Sequence, residues 1–514
     1  MLRINNNKKA AVLGFSALML TTVFLPGCRK DFLDRKPLGQ YTSDNYPYPS
    51  GGGPYDQFVN AAYASLRTGD GGNTAISGFN FMGAVSIRSD DADKGSTSTD
   101  SPDQLAMDNF PVTPTNGLIN DLWNGYYSSV NKCNQVLYQV GHDSTGTGQD
   151  VKTLAVAEAK FIRAYDYFML VRLFGRVPLV DTVITSVSQT NTPQSDASTV
   201  YGLIESDLQY ASANLPLTWS SKYPGRSTKG TANTLLAKVY LTEKKWGQAF
   251  STAGLVISSG VYSLDPDYGH QFTETGENGQ ESIFEIQAYA DATHKEDANY
   301  GCQYANVQGV RGVDWNNLGW GFNVPSGALT TAYETGDPRK DATYLYCPSV
   351  VPTKYGEIFP AEPNPAYNQK VYTNPTYRST VGDQFGWWIN VRILRYADLL
   401  LVYAEAANET GNSAEALAKL EMVRARARAG AAGILPEVTT TSQGDLRTAI
   451  QHERRIELAL EQDRFFDIVR WGIAATAEHA AGKTNYTAGR DELLPIPQQQ
   501  IDLSKGVLTQ NPGY

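Results

Sequence analysis

Apolar residues recur at helical spacing over most of the chain. The clearest stretch is 392–471, which reads RILRYADLLLVYAEAANETGNSAEALAKLEMVRARARAG, then a Gly/Thr-rich break, then LRTAIQHERRIELALEQDRFFDIVRWG. Ile393, Tyr396, Ala397, Leu400, Tyr403, Ala404 and Ala407 fall at i, i+3, i+4, i+7 and put one apolar stripe on a first helix. Gly411 is expected to end it, and Ser413 to cap a second helix buried through Leu417, Leu420 and Val423 and stopped by Gly430. Asp445 is the expected cap of a third helix running towards Trp471. The same period predicts helices over 57–66, 118–140, 151–174 and 200–214, and a helical hairpin over 231–259. Two stretches break the pattern. Residues 69–115 are rich in Gly, Ser and Asp without helical period, and 262–390 are dense in Gly, Pro, Asn and aromatics, with only ESIFEI at 281–286 reading as a strand. An insertion of that size between helical hairpins is where function is expected to sit. Residues 481–514 read as a Pro-punctuated tail wrapping the surface.

The Ala-rich facing surfaces and the short turn through Gly411 resemble a tetratricopeptide unit, in which small residues let two antiparallel helices approach closely. One unit cannot bury its own face, and a second fits the template. Leu236, Ala237 and Tyr240 lead through a turn at 243–245 to Trp246, Ala249 and Ala253, with Lys244 where the template usually has Gly. The predicted fold is mainly α: tetratricopeptide-like helical hairpins forming an α-solenoid scaffold, a large loop-rich insertion around 262–390, and little β structure.

The N-terminus carries Arg3, Lys8 and Lys9 before an apolar run too short to span a bilayer, the pattern of an export signal over 1–27. Leu25-Pro26-Gly27-Cys28 looks like a lipobox, which would make Cys28 the lipidated mature N-terminus; the bland alternative is a plain signal peptide with an incidental Cys. Residues 28–40 then read as a lipid-anchored tether, 41–54 as loop, and 41–514 as a single domain. A net charge of −10 with scattered basic residues argues against nucleic acid as a partner. Cys133, Cys302 and Cys347 remain beyond Cys28, and an odd number is no disulfide framework. Cys302 and Cys347 either pair or stay as buried free thiols.

Catalytic patterns are sparse. The five histidines show no metal-ligand spacing, His452 lacks a zincin partner, Ala477 stands where a phosphate loop before Gly482-Lys483-Thr484 needs Gly, and no G-x-S-x-G elbow occurs. Paired carboxylates leave glycoside hydrolysis open. Glu453 lies on the apolar stripe between Ile450 and Ile456 and requires a cation, with Arg392 and Arg395 as candidates. Asp463, Arg464, Asp467 and Arg470 read as pairing along a helix surface. Asp90, Asp91 and Asp93 could gather oxygens around calcium, but the loop departs from the EF-hand pattern, and a solvated turn is the alternative. No cofactor is expected.

Thirty tyrosines and eight tryptophans are many. Trp320, Trp387 and Trp388 read as packing beneath the loops. Trp315, Tyr300 and Tyr304, flanked by Arg311, Asn316 and Asn317, offer flat apolar faces beside amide and guanidinium donors, which suits sugar rings. They are the candidate ligand-binding residues, with packing as the competing role.

A family resemblance spans nearly all of the chain beyond the export signal. RILRYADLLLVYAEAANETGN, ERRIELALEQDRFFDIVRWG, LLPIP at 493–497 and the closing QNPGY resemble the C-terminal half of SusD/RagB proteins. AEAKFIRAYDYFMLVRLFGRVPLV at 157–180, AKVYLTEKKW at 237–246, ESIFEI and AYETGDPR at 332–339 are similar to the same family. The resemblance implies a lipoprotein on the outer face of a Gram-negative outer membrane, not an enzyme. It would capture oligosaccharides, or sometimes peptides, as a hinged lid and pass them to a TonB-dependent barrel transporter of the SusC type. A secreted glycoside hydrolase and a pure assembly scaffold are the alternatives.

Overall fold

A computed structural model describes residues 53–68, 76–143, 147–431 and 433–514. The expected export signal, Cys28 and the tether lie outside them. Ten helices carry the scaffold: α1 Asp56–Thr68, α2 Gly117–Gly141, α3 Gln149–Phe174, α4 Ala197–Asn214, α5 Lys229–Thr242, α6 Trp246–Ser258, α7 Tyr396–Glu409, α8 Ser413–Arg428, α9 Gln443–Glu457 and α10 Arg464–Arg470. From α1 to α8 each helix packs on the next, α6 passing directly to α7 across the insertion. This chain of antiparallel neighbours is the mainly helical solenoid the sequence predicts, and Tyr55–Tyr514 form one compact unit.

The two hairpin turns share one hydrogen-bond pattern. After α7, Gly411 (φ +80°) lets Asn412 N–H donate to Ala407 C=O at 2.8 Å, and after α5, Lys244 (φ +60°) lets Lys245 N–H donate to Tyr240 C=O at 2.8 Å. Both are Schellman stops, and a lysine occupies the left-handed position at the second. Small residues set the spacing: Ala249, Ala253, Ala404, Ala407 and Ala416 are fully buried, and a Cβ on Gly254 would already touch Tyr403 at 3.5 Å.

Four expectations change. Residues 391–395 form a strand, β6 Val391–Arg395, instead of the first turn of α7; it pairs antiparallel with β2 Ser282–Ile286. Ile393 fits the helical stripe only by coincidence of spacing. The cap residues are Asn412 and Ser442, not Ser413 and Asp445. The third helix breaks between α9 and α10, where Leu460 and Gln462 take φ of +62° and +93°. Tertiary contacts hold that break: Ala459 and Leu460 pack with Tyr333 and Tyr344, and Gln462 donates to the Tyr304 hydroxyl at 2.8 Å. Finally, the two aperiodic stretches contain short elements. Helices Phe79–Met82 and Pro102–Asn109 flank β1 Ala92–Gly95, which pairs with β3 Phe322–Pro325, while β4 Tyr344–Tyr346 pairs with β5 Ala366–Asn368. Each is too short to show a period. The tail wraps as expected: Leu494 N–H donates to Leu173 C=O, and Asn511 bonds Phe174 and Leu494 carbonyls at the end of α3.

Charges, not only apolar contacts, hold the insertion to the helices. Glu457 is fully buried and receives Arg339, Arg395 and Arg426 at 3.1, 2.6 and 2.5 Å. Glu453 takes Arg339 and Arg424, not the expected Arg392 and Arg395. Arg392 instead faces Glu277 at 3.4 Å, and Arg395 joins Glu281, Glu457 and Glu461. The α10 charges do not lie on a solvated helix surface. Asp467 and Arg470 do pair along the helix at 2.9 Å, but Asp467 also binds the buried Arg454, Arg470 binds Glu405, Asp463 takes Lys238 at 2.6 Å, and Arg464 grips Asp90 through two 2.7 Å bonds.

Burial alone would raise the Glu457 carboxyl, but Arg426, Arg395 and Arg339 overrule it and hold it well below the usual carboxylate range. Asp398 is likewise held low by Lys238 and Arg454 against its burial. Depressed folded-state values give stability that is complete above the unfolded range, about 4, and is lost progressively as pH falls below it towards the folded-state value. Glu457→Gln leaves three guanidinium groups short of a partner and is expected to destabilise the fold by about 3–5 kcal/mol at neutral pH. Urea midpoints measured from neutral pH down to about pH 3 should fall more steeply for wild type than for the variant; equal slopes would remove Glu457 as the acid-sensitive group.

Candidate functional site

Trp315 sits at the tip of a turn built to expose it. Asn316 is buried; its Oδ1 accepts from Val313 N–H at 3.0 Å and its amide donates to Glu362, which fixes the 3-10 turn Asp314–Asn316. Trp315 is left 51% exposed, with its ring tilted over the buried Phe359 at 5.2 Å. One side packs, and the other is free to stack.

Beside it lies an open groove of about 520 Å³ lined by Trp315, Glu357, Pro375, Arg378, Ser379, Gly382, Asp383, Gln384 and Phe385. Its wall is the short helix Pro375–Val381, started by the Asn374 side chain accepting from Thr376 N–H and a proline in the first turn, and ended by Gly382 at φ +69°. Tyr377 on that helix is 43% exposed and stacks on Trp388 at 6.2 Å. Lys295 donates to Gly382 C=O at 2.8 Å and draws the 291–300 loop to the groove. In that loop Asp291 organises the backbone of Thr293 and His294, and His294 packs on Tyr300 at 4.3 Å. Tyr300 is 43% and Tyr289 54% exposed.

The charges at the groove are few and compensated. Arg378 pairs with Glu357, which also accepts from the Tyr372 hydroxyl. Burial raises the Asp383 carboxyl. Beneath, Glu274 accepts from Tyr355 at 2.6 Å, Trp388 at 3.1 Å and Asn374 N–H at 3.1 Å, and these bonds oppose its burial and hold its carboxyl low. Among the described residues no cluster suits a metal ion.

The sequence candidates separate accordingly. Trp315, Asn316, Asn317 and Arg311 share one loop, and Tyr300 lies on the loop that Lys295 ties to the groove. Asn316 supports the turn from beneath. Asn317 is half-buried, and Arg311 pairs with Asp100 and Ser96. Tyr304 is corrected: it is 5% exposed within the main core, its hydroxyl engaged by Gln462, so it presents no face to a ligand. Asp90 and Asp91 are buried and engaged by Arg455 and Arg464, so neither a solvated turn nor a free oxygen cluster describes them. Asp93 is exposed on β1. Trp387 and Trp388 are buried, and Trp320 meets Phe79 edge-on at 5.6 Å. Cys133, Cys302 and Cys347 are free and buried. Sequence reasoning missed Tyr377, Arg378 and Asp383, although Asn374-Pro375 and Gly382 are the start and stop signals of a capped helix.

The fold as a whole matches known proteins. Residues 352–514 match a family described as the SusD family, and 72–241 match one described as starch-binding associating with outer membrane. The chain is 29% identical to SusD-like protein P2 of Formosa agariphila over 97% of this chain and 99% of that one. It superposes on a laminarin binding SusD-like protein at TM-score 0.75 and 30% identity, covering 90% of this chain and 99% of that one. Surface glycan-binding protein A from Bacteroides thetaiotaomicron in complex with laminarihexaose gives TM-score 0.76 and 26% identity, with 89% and 98% covered.

Core and site residues should part on truncation. Tyr304→Ala empties a packed site and is expected to cost about 3–5 kcal/mol, whereas Trp315→Ala, open on one face, should change stability by less than about 1 kcal/mol. Denaturant midpoints of the two variants measured side by side decide it; a comparable loss for Trp315→Ala would make that ring a packing residue.

Proposed function

We propose, from the premise that this chain belongs to the SusD/RagB family, that it is a cell-surface lipoprotein that captures neutral oligosaccharides and hands them to a TonB-dependent barrel transporter of the SusC type. The observation that carries the reading is Trp315: a ring pinned from below by Phe359, free above, and placed at the edge of an open groove on the loop-rich face. A sugar ring stacks its C–H face on such a surface while its hydroxyls find polar partners. Arg378, Ser379, Asp383 and Gln384 supply donors and acceptors there.

Neutral ligands fit best. Arg378 is already held by Glu357, the Lys295 ammonium at the groove wall is engaged by Gly382 C=O, and Asp383 adds negative charge, so no unengaged cation is offered to a uronic or sulfated chain. Laminari-oligosaccharides, the ligands named for the similar solved structures, are the first class to test. Of the two groove carboxylates, Glu357 is bound by Arg378 and Tyr372, while Asp383 accepts from Phe385 N–H at 3.2 Å. In the lid mechanism, Cys28 anchors the chain at the outer membrane, the tether 28–40 gives it reach, and the helical solenoid offers the barrel a rigid face. Affinity must stay moderate, because a ligand held too tightly is not handed on.

Equilibrium titration of the purified protein with laminari-oligosaccharides should show saturable binding with no shortening of the ligand. Trp315→Ala should weaken binding by about 1–3 kcal/mol at an unchanged melting temperature. Deleting the barrel partner should abolish uptake and leave binding intact. Ligand cleavage, or uptake without the barrel, would contradict the capture role.

A further inference from the structure

A second hollow, about 670 Å³ in volume, opens between the β1–β3 and β4–β5 strand pairs. Its size is that of a small-ligand site, and its lining mixes apolar surface with carboxylate, hydroxyl and amide groups. Asp93 alternates outward on β1 while Ala92 and Lys94 point inward, and no hydrogen bond or ion pair engages its carboxylate among the described residues. Asn364 makes only long bonds, 3.4 Å to Ser96 C=O and 3.3 Å to the Tyr367 hydroxyl, so its amide remains available. Tyr346 is half-buried, its ring tilted against Tyr344 at 5.7 Å, and Leu105 is 37% exposed beside them. A carboxylate accepts from adjacent hydroxyls, an amide both donates and accepts, and a tyrosine ring stacks. That set recognises a saccharide.

The hollow adjoins the Trp315 groove through shared chain. Within 359–366, Phe359 underlies Trp315 and Glu362 holds Asn316, while Asn364 and Ala366 line the second hollow. Arg311, from the Trp315 loop, binds Ser96 at 2.9 Å, and Ser96 lines the hollow as well.

We propose that this hollow is a second saccharide subsite, holding further units of the same neutral glycan chain whose other units stack on Trp315. The proposal rests on the capture reading above and adds that the protein selects chain length: an oligosaccharide long enough to reach both hollows is preferred over a disaccharide.

Gly327 provides a clean block. It is exposed, lines the hollow, and a Cβ there meets nothing within 4 Å. Laminari-oligosaccharides from the disaccharide upward are titrated against the full chain, Gly327→Trp and Asp93→Ala, with melting temperatures recorded. Wild-type affinity should rise with length and, beyond the span of the first groove, gain a further increment of about tenfold or more. Both variants should lose that increment and keep wild-type affinity for the short ligands. Unchanged long-chain affinity in both variants overturns the second subsite and leaves the Trp315 reading standing. Wild-type protein that binds no oligosaccharide of any length overturns both.

Discussion

Three guanidinium groups converge on the carboxylate of Glu457, and each arrives from a different part of the chain: Arg339 from the insertion, Arg395 from the end of β6, Arg426 from α8. A charge taken out of water is costly unless it is paired and its remaining bonds are satisfied, so none of these groups can move independently of the others. The insertion contributes Phe284, Tyr304, Val307, Trp387 and Trp388 to the main core, but apolar contacts are not directional. Directional charge-assisted bonds therefore set its orientation on the helices. Lys370 extends the same lattice from the insertion to Glu461, and Arg424 extends it through Glu334 and Glu453.

That lattice reaches the candidate site in two steps. The break after α9 presents Gln462 to Tyr304 and Glu461 to Lys370 and Arg395, which fixes the inner edge of the insertion. Glu274 then ties Tyr355, Trp388 and the start of the groove helix to one carboxylate. Lys354 is half-buried nearby, its ammonium donating to Phe272 C=O at 2.7 Å, and desolvation pulls its pKa down to about 7 despite Glu274. A groove supported in this way loses little freedom when a ligand binds, so modest stacking contacts suffice for measurable affinity.

The solenoid was legible because its helices are long and periodic, and the hairpin turns because Gly411 and the Lys244 position mark the same Schellman geometry. What failed has a physical reason in each case. Residues 391–395 look helical next to α7; the strand at 282–286 was itself legible, but it lies more than a hundred residues upstream and nothing local says that it pairs with 391–395. Glu453 announced that it needed a cation, yet the sequence could not say that Arg339 would come from the insertion. Tyr304 and Trp315 both stand among polar neighbours. The difference is that Tyr304 has a buried partner for its hydroxyl, whereas Trp315 is held outward by the Asn316 turn. Tyr377 was missed although its helix carries legible caps, because a helix so short shows no amphipathic period.

The distribution of charge also bears on why binding without catalysis is the reading that fits. Acid–base chemistry on a glycan needs a carboxyl free to change protonation at the scissile bond. Several strongly perturbed acids of this chain lie outside the groove lining: Glu457 is locked beneath the insertion, Asp398 is held within the helical scaffold by Lys238 and Arg454, Glu277, pushed up to about 7 by burial, faces Arg392, and Glu478, pushed up to about 8 by burial, lies near Arg88 and Lys483. For Glu457 the perturbation comes with holding the insertion in place, for Asp398 it comes from pairing within the helical scaffold, and for Glu478 from burial. At the groove the carboxylates are compensated or peripheral, while the aromatic surface is exposed. Recognition there falls to stacking and hydroxyl pairing, which are reversible and tolerant of chain position, the properties required of a protein that must release what it captures.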